Sequence, residues 1–241
     1  MNKCLWLIIL AAVTSICFAD TNKELDRNVY SNELPMYGGI ERTSEQKEID
    51  DRATKKVIEY AGNKETALKQ TITLAWQYYY NGDIKTAIKR FNQAWLLDPN
   101  NTEVFYGFGI IMAEKGNNEE AINMFKKALE FNPKYAMAMC NLGRAYKDKA
   151  LTLARNFGLA KEEETINYFK QAANLYENAA QLAILDDDLS YIYYQWAVIL
   201  AMNKNFKEAW DKINLSRKHG GKSIEEGFVR HLSMEMPEPI R

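Results

Sequence analysis

The 241-residue chain is predicted to be all-α, a solenoid of stacked helix hairpins, on three observations. Gly82, Ala87, Ile88, Phe91, Ala94 and Pro99 recur as Gly116, Ala121, Ile122, Phe125, Ala128 and Pro133, a constant spacing of 34 residues. The register runs on from Phe108, Gly109 and Met112 to Leu142, Gly143 and Tyr146, so a third unit begins where the second ends. The recurring residues are small, aromatic or helix-breaking, the set that close packing of paired helices demands. A fixed period of this size is the signature of repeat architectures whose units touch mainly their neighbours. Such folds build extended grooves more readily than deep catalytic pockets, which points toward binding.

The N-terminus comes first. Lys3 precedes an apolar run from Leu5 to Ala19, and the chain then turns polar at Asp20-Thr21-Asn22-Lys23. That is the anatomy of a secretory signal peptide over residues 1–19, with Cys17-Phe18-Ala19 placing small residues where a signal peptidase cuts. The run is shorter than the roughly 18 to 20 residues of a membrane-spanning helix, so cleavage after Ala19 is expected, leaving no membrane-spanning segment in the mature chain. The mature protein is then periplasmic or secreted. A lipoprotein acylated at Cys17 is the lesser alternative, because Ile16 is larger than the residue that usually precedes a lipidated cysteine.

Residues 20–42 form a polar leader without period, carrying Met36-Tyr37 and Gly38-Gly39. Met36-Tyr37 is apolar enough to tuck against the repeats or a partner. Thr43 with Gln46 matches a capping box, and Ile49, Ala53, Val57 and Ile58 recur at helical spacing up to Gly62. A helical region over 43–67 is therefore expected ahead of the repeats.

The repeats follow at about 68–101, 102–135, 136–186 and 190–221. Ala75, Gly109 and Gly143 in the first helices, and Ala87, Ala121, Ala94 and Ala128 in the second, let helix backbones approach while Phe91 and Phe125 fill the space between. Gly82 and Gly116 turn the chain within a hairpin, and Pro99 and Pro133 end the second helices. In the third repeat the expected alanine at position 155 arrives as Ala172, 17 residues late. The inserted stretch is rich in Ala, Leu, Lys and Glu, with Asn156-Phe157-Gly158 as its break, which predicts lengthened helices and a protruding hairpin. The fourth repeat carries Trp196, Ala197, Ala209 and Ile213, with Asn203-Lys204-Asn205 where the turn glycine would stand. After Gly220-Gly221, Ser223 followed by Ile224, Phe228 and Leu232 predicts a capping helix over 222–236.

Small residue, aromatic, Ala, Phe, Ala and Pro over 34 residues resembles the tetratricopeptide repeat. The match is specific in the first two repeats and weaker in the fourth. The resemblance implies a right-handed superhelical solenoid whose concave groove is lined by first helices, at positions two, five, nine, twelve and thirteen of each repeat. With starts at Leu68, Thr102, Ala136 and Ser190, it places Lys69, Trp76, Tyr79 and Tyr80 there from the first repeat, and Tyr106 and Ile110 from the second. Arg144 and Lys147 follow from the third, and Tyr191 and Tyr194 from the fourth. Tyrosines and a tryptophan beside Lys69, Arg144 and Lys147 would suit an extended peptide or protein segment with acidic and apolar features. A tyrosine stripe at helical spacing also packs between helices, so each residue has a structural reading as well. The subtype that clamps a C-terminal carboxylate with Lys or Arg and Asn at positions five and nine is disfavoured, since those positions hold Ile72 and Trp76.

Other chemistry is sparse. With 31 Lys plus Arg against 32 Asp plus Glu and no long run of one sign, nothing suggests nucleic acid. Of three cysteines, Cys4 and Cys17 leave with the signal, and lone Cys140 reads as a packing residue. Asp186-Asp187-Asp188 reads as a helix start with capping residues, more than as a metal site. No phosphate loop, nucleophile elbow or paired-histidine metal motif is present, so no catalytic, cofactor or metal-binding residue is expected. The sequence therefore reads as an exported interaction scaffold of the cell envelope. The alternative is a secreted or surface-attached factor that binds a host or neighbouring cell.

Overall fold

A computed structural model describes residues 31–239, so the expected signal peptide and residues 20–30 lie outside the described part. The chain divides into two compact units, one through Pro99 and one from Asn100.

In the first unit, α1 (Ser44–Ala61) starts on the anticipated capping box: the Gln46 amide donates to Thr43 Oγ1 at 3.2 Å and the Thr43 amide to Gln46 Oε1 at 3.0 Å. It ends at Gly62, and Asn63 caps α2 (Lys64–Tyr80) by accepting the Thr66 amide at 2.8 Å. The first hairpin thus begins four residues before the boundary at Leu68 that the period alone suggests, because Asn63 supplies the cap. Gly82, at φ 79°, donates its amide to Tyr79 O and turns the chain into α3 (Ile84–Leu97), capped by Asp83. Ala75, Ala87, Phe91 and Ala94 are wholly buried along this hairpin. The leader segment from Ser31 to Gly39 makes two short 3-10 turns that pack on α3.

The second unit holds three hairpins: α4 (Thr102–Glu114) with α5 (Asn118–Phe131), α6 (Ala136–Phe157) with α7 (Glu162–Leu182), and α8 (Asp186–Met202) with α9 (Phe206–Lys218). Each hairpin packs on the next, α5 against α6 and α7 against α8. The 17 late residues are absorbed by lengthening α6 and α7 to 22 and 21 residues. Their tip is a 3-10 turn over Gly158–Lys161, with Leu159 85% exposed.

Two local expectations meet a different arrangement. The three aspartates do not cap α8; Leu185 holds the cap position and Asp186–Asp188 form the first turn, where carboxylates favour the helix dipole. Ser223 does not cap the last helix either, since residues 221–224 turn on an Ile224 amide to Gly221 carbonyl bond and α10 (Glu226–Glu235) starts after Glu225. The helix still closes the stack: Leu232 is fully buried with Ala197, Ala209, Trp210 and Ile213, and Trp210 Nε1 donates to the Met236 carbonyl at 2.9 Å.

Candidate partner-binding face

The first helices of the second unit, α4, α6 and α8, lie side by side, and side chains cross from one to the next. Each crossing has a local cause. Asn141 Nδ2 donates back to the Met137 carbonyl at 2.9 Å and across to the Tyr106 hydroxyl at 3.2 Å, tying α6 to α4. The Tyr106 ring is held edge-on by Tyr135 with centroids 5.1 Å apart. One turn along α6, Arg144 Nη1 donates to the Tyr191 hydroxyl of α8 at 3.2 Å. A further turn on, Lys147 Nζ donates to Gln195 Oε1 at 3.4 Å. The spacing of three residues between Asn141 and Arg144, and again between Arg144 and Lys147, keeps neighbours in this series on one side of α6. The sequence had marked the two cations and the two tyrosines.

Electrostatics on this face follow from burial. Lys147 has its side chain 13% exposed, with Asp148 at 3.8 Å as its one carboxylate in ion-pair range. Burial therefore pulls its ammonium below the usual lysine range, against the opposing pull of Asp148. Arg144 is raised: burial opposes its charge, but Tyr191, Asp148 and Tyr176 together outweigh that. Burial pushes the Tyr191 phenol up as well. Behind these residues Cys140 is wholly buried, and burial drives its thiol far up, so it packs as a small apolar group.

The remaining marked residues divide. Ile110 is half-buried on α4. Tyr194 is only 5% exposed and stands edge-on to Phe228 of the capping helix, in the core beside Trp210. In the first unit, Trp76, Tyr79 and Tyr80 form one aromatic cluster: Trp76 is edge-on to Tyr79 at 5.4 Å and stacked on Tyr80 at 6.0 Å. Trp76 also leans on buried Phe91, whereas Tyr80 is 78% exposed. Lys69 lines an open groove along α2 with Glu65, Gln70, Thr73 and Gln77.

Sequence reasoning missed Asn141 and Gln195, the polar residues next to the marked positions. Both are buried amides within one helical turn of marked residues, Asn141 before Arg144 and Gln195 beside Tyr194, and that adjacency is the signal that could have found them. Glu225, which acts on Lys147 and hydrogen-bonds Tyr194, gave none, because it lies in the irregular turn before α10. Among the described residues no group of three or more His, Cys, Asp and Glu could hold a metal ion, and no helix is long and apolar enough to cross a membrane.

Comparison with known proteins fits this geometry. The TPR repeat family model matches residues 111–149, which run from the end of α4 through α5 into α6. The fold matches the crystal structure of a thermophilic TPR protein of Thermus thermophilus, with a TM-score of 0.58 over 71% of this chain and 84% of that one, at 17% identity. Residues 111–149 thus carry a tetratricopeptide repeat, and the fold is that of a tetratricopeptide solenoid. The chain's sequence is also similar to Photosystem I assembly protein Ycf3 of two strains of Prochlorococcus marinus, at 29% identity in one and 30% in the other, each over 105 residues. That stretch is 42% of this chain and spans 59% of the length of those curated relatives. The TPR fold typically serves as a non-catalytic scaffold for protein–protein interaction.

Proposed function

We propose that this protein is an exported scaffold that holds a protein partner on its first-helix faces and helps assemble a complex of the cell envelope. The observation that carries the reading is the row of Tyr106, Arg144, Lys147 and Tyr191, a polar and aromatic surface that crosses three helices. Tyrosine and arginine are enriched among residues that dominate binding at protein interfaces. The relatives named as assembly proteins support the assembly role, and the residue 1–19 pattern supports export. The reading assigns no catalysis, since Cys140 is buried and neutral.

Fractionation with affinity capture tests it. The mature protein is expected in the soluble periplasmic fraction and to retain a defined envelope partner. A variant with Tyr106→Ala and Arg144→Gln is expected to keep its helical content and lose that partner by about tenfold or more in affinity, the range of an interface anchor. Release into the medium would instead favour the factor acting on another cell. Retention of the partner by a folded variant would remove the first-helix faces from the mechanism.

A further inference from the structure

Resting on the scaffold reading, we propose that Arg144 and Lys147 form a subsite for a carboxylate of the partner's peptide, laid across α6 and α8. The argument is an inventory of donors and acceptors. An arginine offers five N–H donors and a lysine three, and both groups lack acceptor atoms. Arg144 spends one donor on the Tyr191 hydroxyl, and no carboxylate of the described residues lies within ion-pair distance of it. Lys147 has the Gln195 carbonyl at 3.4 Å, a long bond, and Asp148 at 3.8 Å, beyond hydrogen-bond reach.

One tyrosine hydroxyl adds to the surplus. Tyr191 accepts from Arg144 and keeps its own proton to give. Tyr176, wholly buried behind them, has a hydroxyl sealed from solvent and takes no part in the site. The cluster is donor-rich, and donors at the surface of a half-buried site attract an anion able to accept several bonds. Arg144 Nε and Nη2 make no hydrogen bond with the described residues and are not among the atoms sealed from solvent without a partner, and the Lys147 side chain is 13% exposed, so an incoming group can reach the site.

The neighbouring charges set which anion fits. Asp148 and Glu225 act on Lys147, and Asp188 acts on Cys140 behind it. These flanking carboxylates repel a dianionic phosphate more than a singly charged carboxylate. Tyr106 with Tyr135 on the α4 side supplies an aromatic wall for the rest of the peptide. A peptide with an acidic residue flanked by an apolar one is the ligand this chemistry recognises.

A random heptapeptide library displayed on phage and selected on the purified full chain tests the subsite. Enriched peptides are expected to share Asp or Glu at one fixed position. Their synthetic versions with Glu→Gln there are expected to bind about tenfold more weakly to the wild type, the loss of one charge-assisted pair. With Arg144→Met and Lys147→Met the same exchange is expected to change affinity less than about twofold, so that the cycle isolates the contact. Side-chain and C-terminal carboxylates are separated by comparing Glu→Gln with the C-terminal amide of the same peptide. Circular dichroism and urea unfolding check the folding of each variant, and Arg144→Lys, which keeps the charge, is expected to retain the preference. Peptides that lose affinity in Tyr106→Ala yet show no carboxylate preference would sink the subsite and leave the scaffold reading standing. No enrichment on the wild type would overturn both, and discrimination unaltered in the double variant would move the carboxylate elsewhere.

Discussion

Gly109 and Gly143 hold equivalent places in successive first helices because there is no room for a methyl group. A Cβ on Gly109 would stand 2.5 Å from Phe125 Cε1, inside the closest approach real side chains make. On Gly143 it would meet Tyr176 Cε1 at 3.0 Å and the Ala172 carbonyl at 3.2 Å. Both rings are wholly buried, so neither can swing into open space. Alanine would gain up to about 1 kcal/mol of helix propensity. Overpacking a filled core costs about 1–3 kcal/mol, and at 2.5 Å the upper part of that range applies. Gly109→Ala is therefore expected to lower stability by about 1–2 kcal/mol, read as an earlier urea midpoint at unchanged slope. Adding Phe125→Leu makes space and is expected to recover part of the loss. A stability gain in the single variant would show that the helix crossing is slack. The converse appears at the turns: Lys204 takes φ 60° in the fourth hairpin, a place where Gly82 and Gly116 stand earlier, and a lysine bears the steric cost that glycine avoids.

Among the elements, the leader segment shows how a stretch without period can be fixed by one distant side chain. Asn92, wholly buried on α3, accepts the Met36 amide at 2.8 Å and donates to the Leu34 and Asn32 carbonyls at 2.9 and 3.1 Å. Glu33 reaches Lys85 and Lys89, Tyr37 is buried edge-on to Trp95, and Arg42 covers the Tyr37 ring while pairing with Asp50. Burial pushes the Tyr37 phenol up to about 12. An undocked tyrosine ionises near 10, so between pH about 10 and about 12 the released segment loses a proton that the docked one keeps. Docking must then weaken as pH rises through that window, by at most about 1.4 kcal/mol per pH unit. The measurement is therefore a comparison of two proteins at one pH. With an alkaline-tolerant protease at pH about 11, cleavage within residues 31–42 is expected to be faster in wild type than in Tyr37→Phe, whose ring cannot ionise. Equal cleavage would mean that Tyr37 ionisation does not govern release. The capping box of α1 could be read from Thr43 and Gln46 because both partners are three residues apart. That Met36-Tyr37 could tuck against the repeats was legible from its apolarity, but the anchor was not, because Asn92 lies 56 residues from Met36, and nothing in Met36 or Tyr37 announces their left-handed φ of 49° and 58°. The same holds on the binding face: Arg144 and Lys147 follow from the period, whereas their partners depend on how α8 meets α6.

At the scale of the whole molecule, the repeat makes stability a chain of neighbour contacts, so burial at one place reports on the hairpins beside it. Cys140 is such a place. It lies on α6, which packs against α5 and α7, has no exposed surface, and carries a thiol that burial keeps protonated. Labelling requires the thiolate, so a thiol reagent at neutral pH can act only when these hairpins separate. The full sequence has three cysteines, and cleavage after Ala19 would remove Cys4 and Cys17. A chain cleaved there is expected to show one reactive thiol in denaturant and none within the same time in native buffer. Labelling on titration with urea is expected to follow the loss of helical signal from the second unit. Mass spectrometry of the labelled product separates the possibilities for the N-terminus: three labels mark an uncleaved chain, and one label with an added lipid mass marks acylation at Cys17. Native labelling at the rate of a free thiol would contradict the packing of α6 itself, and with it the stacked face on which Arg144 and Lys147 depend.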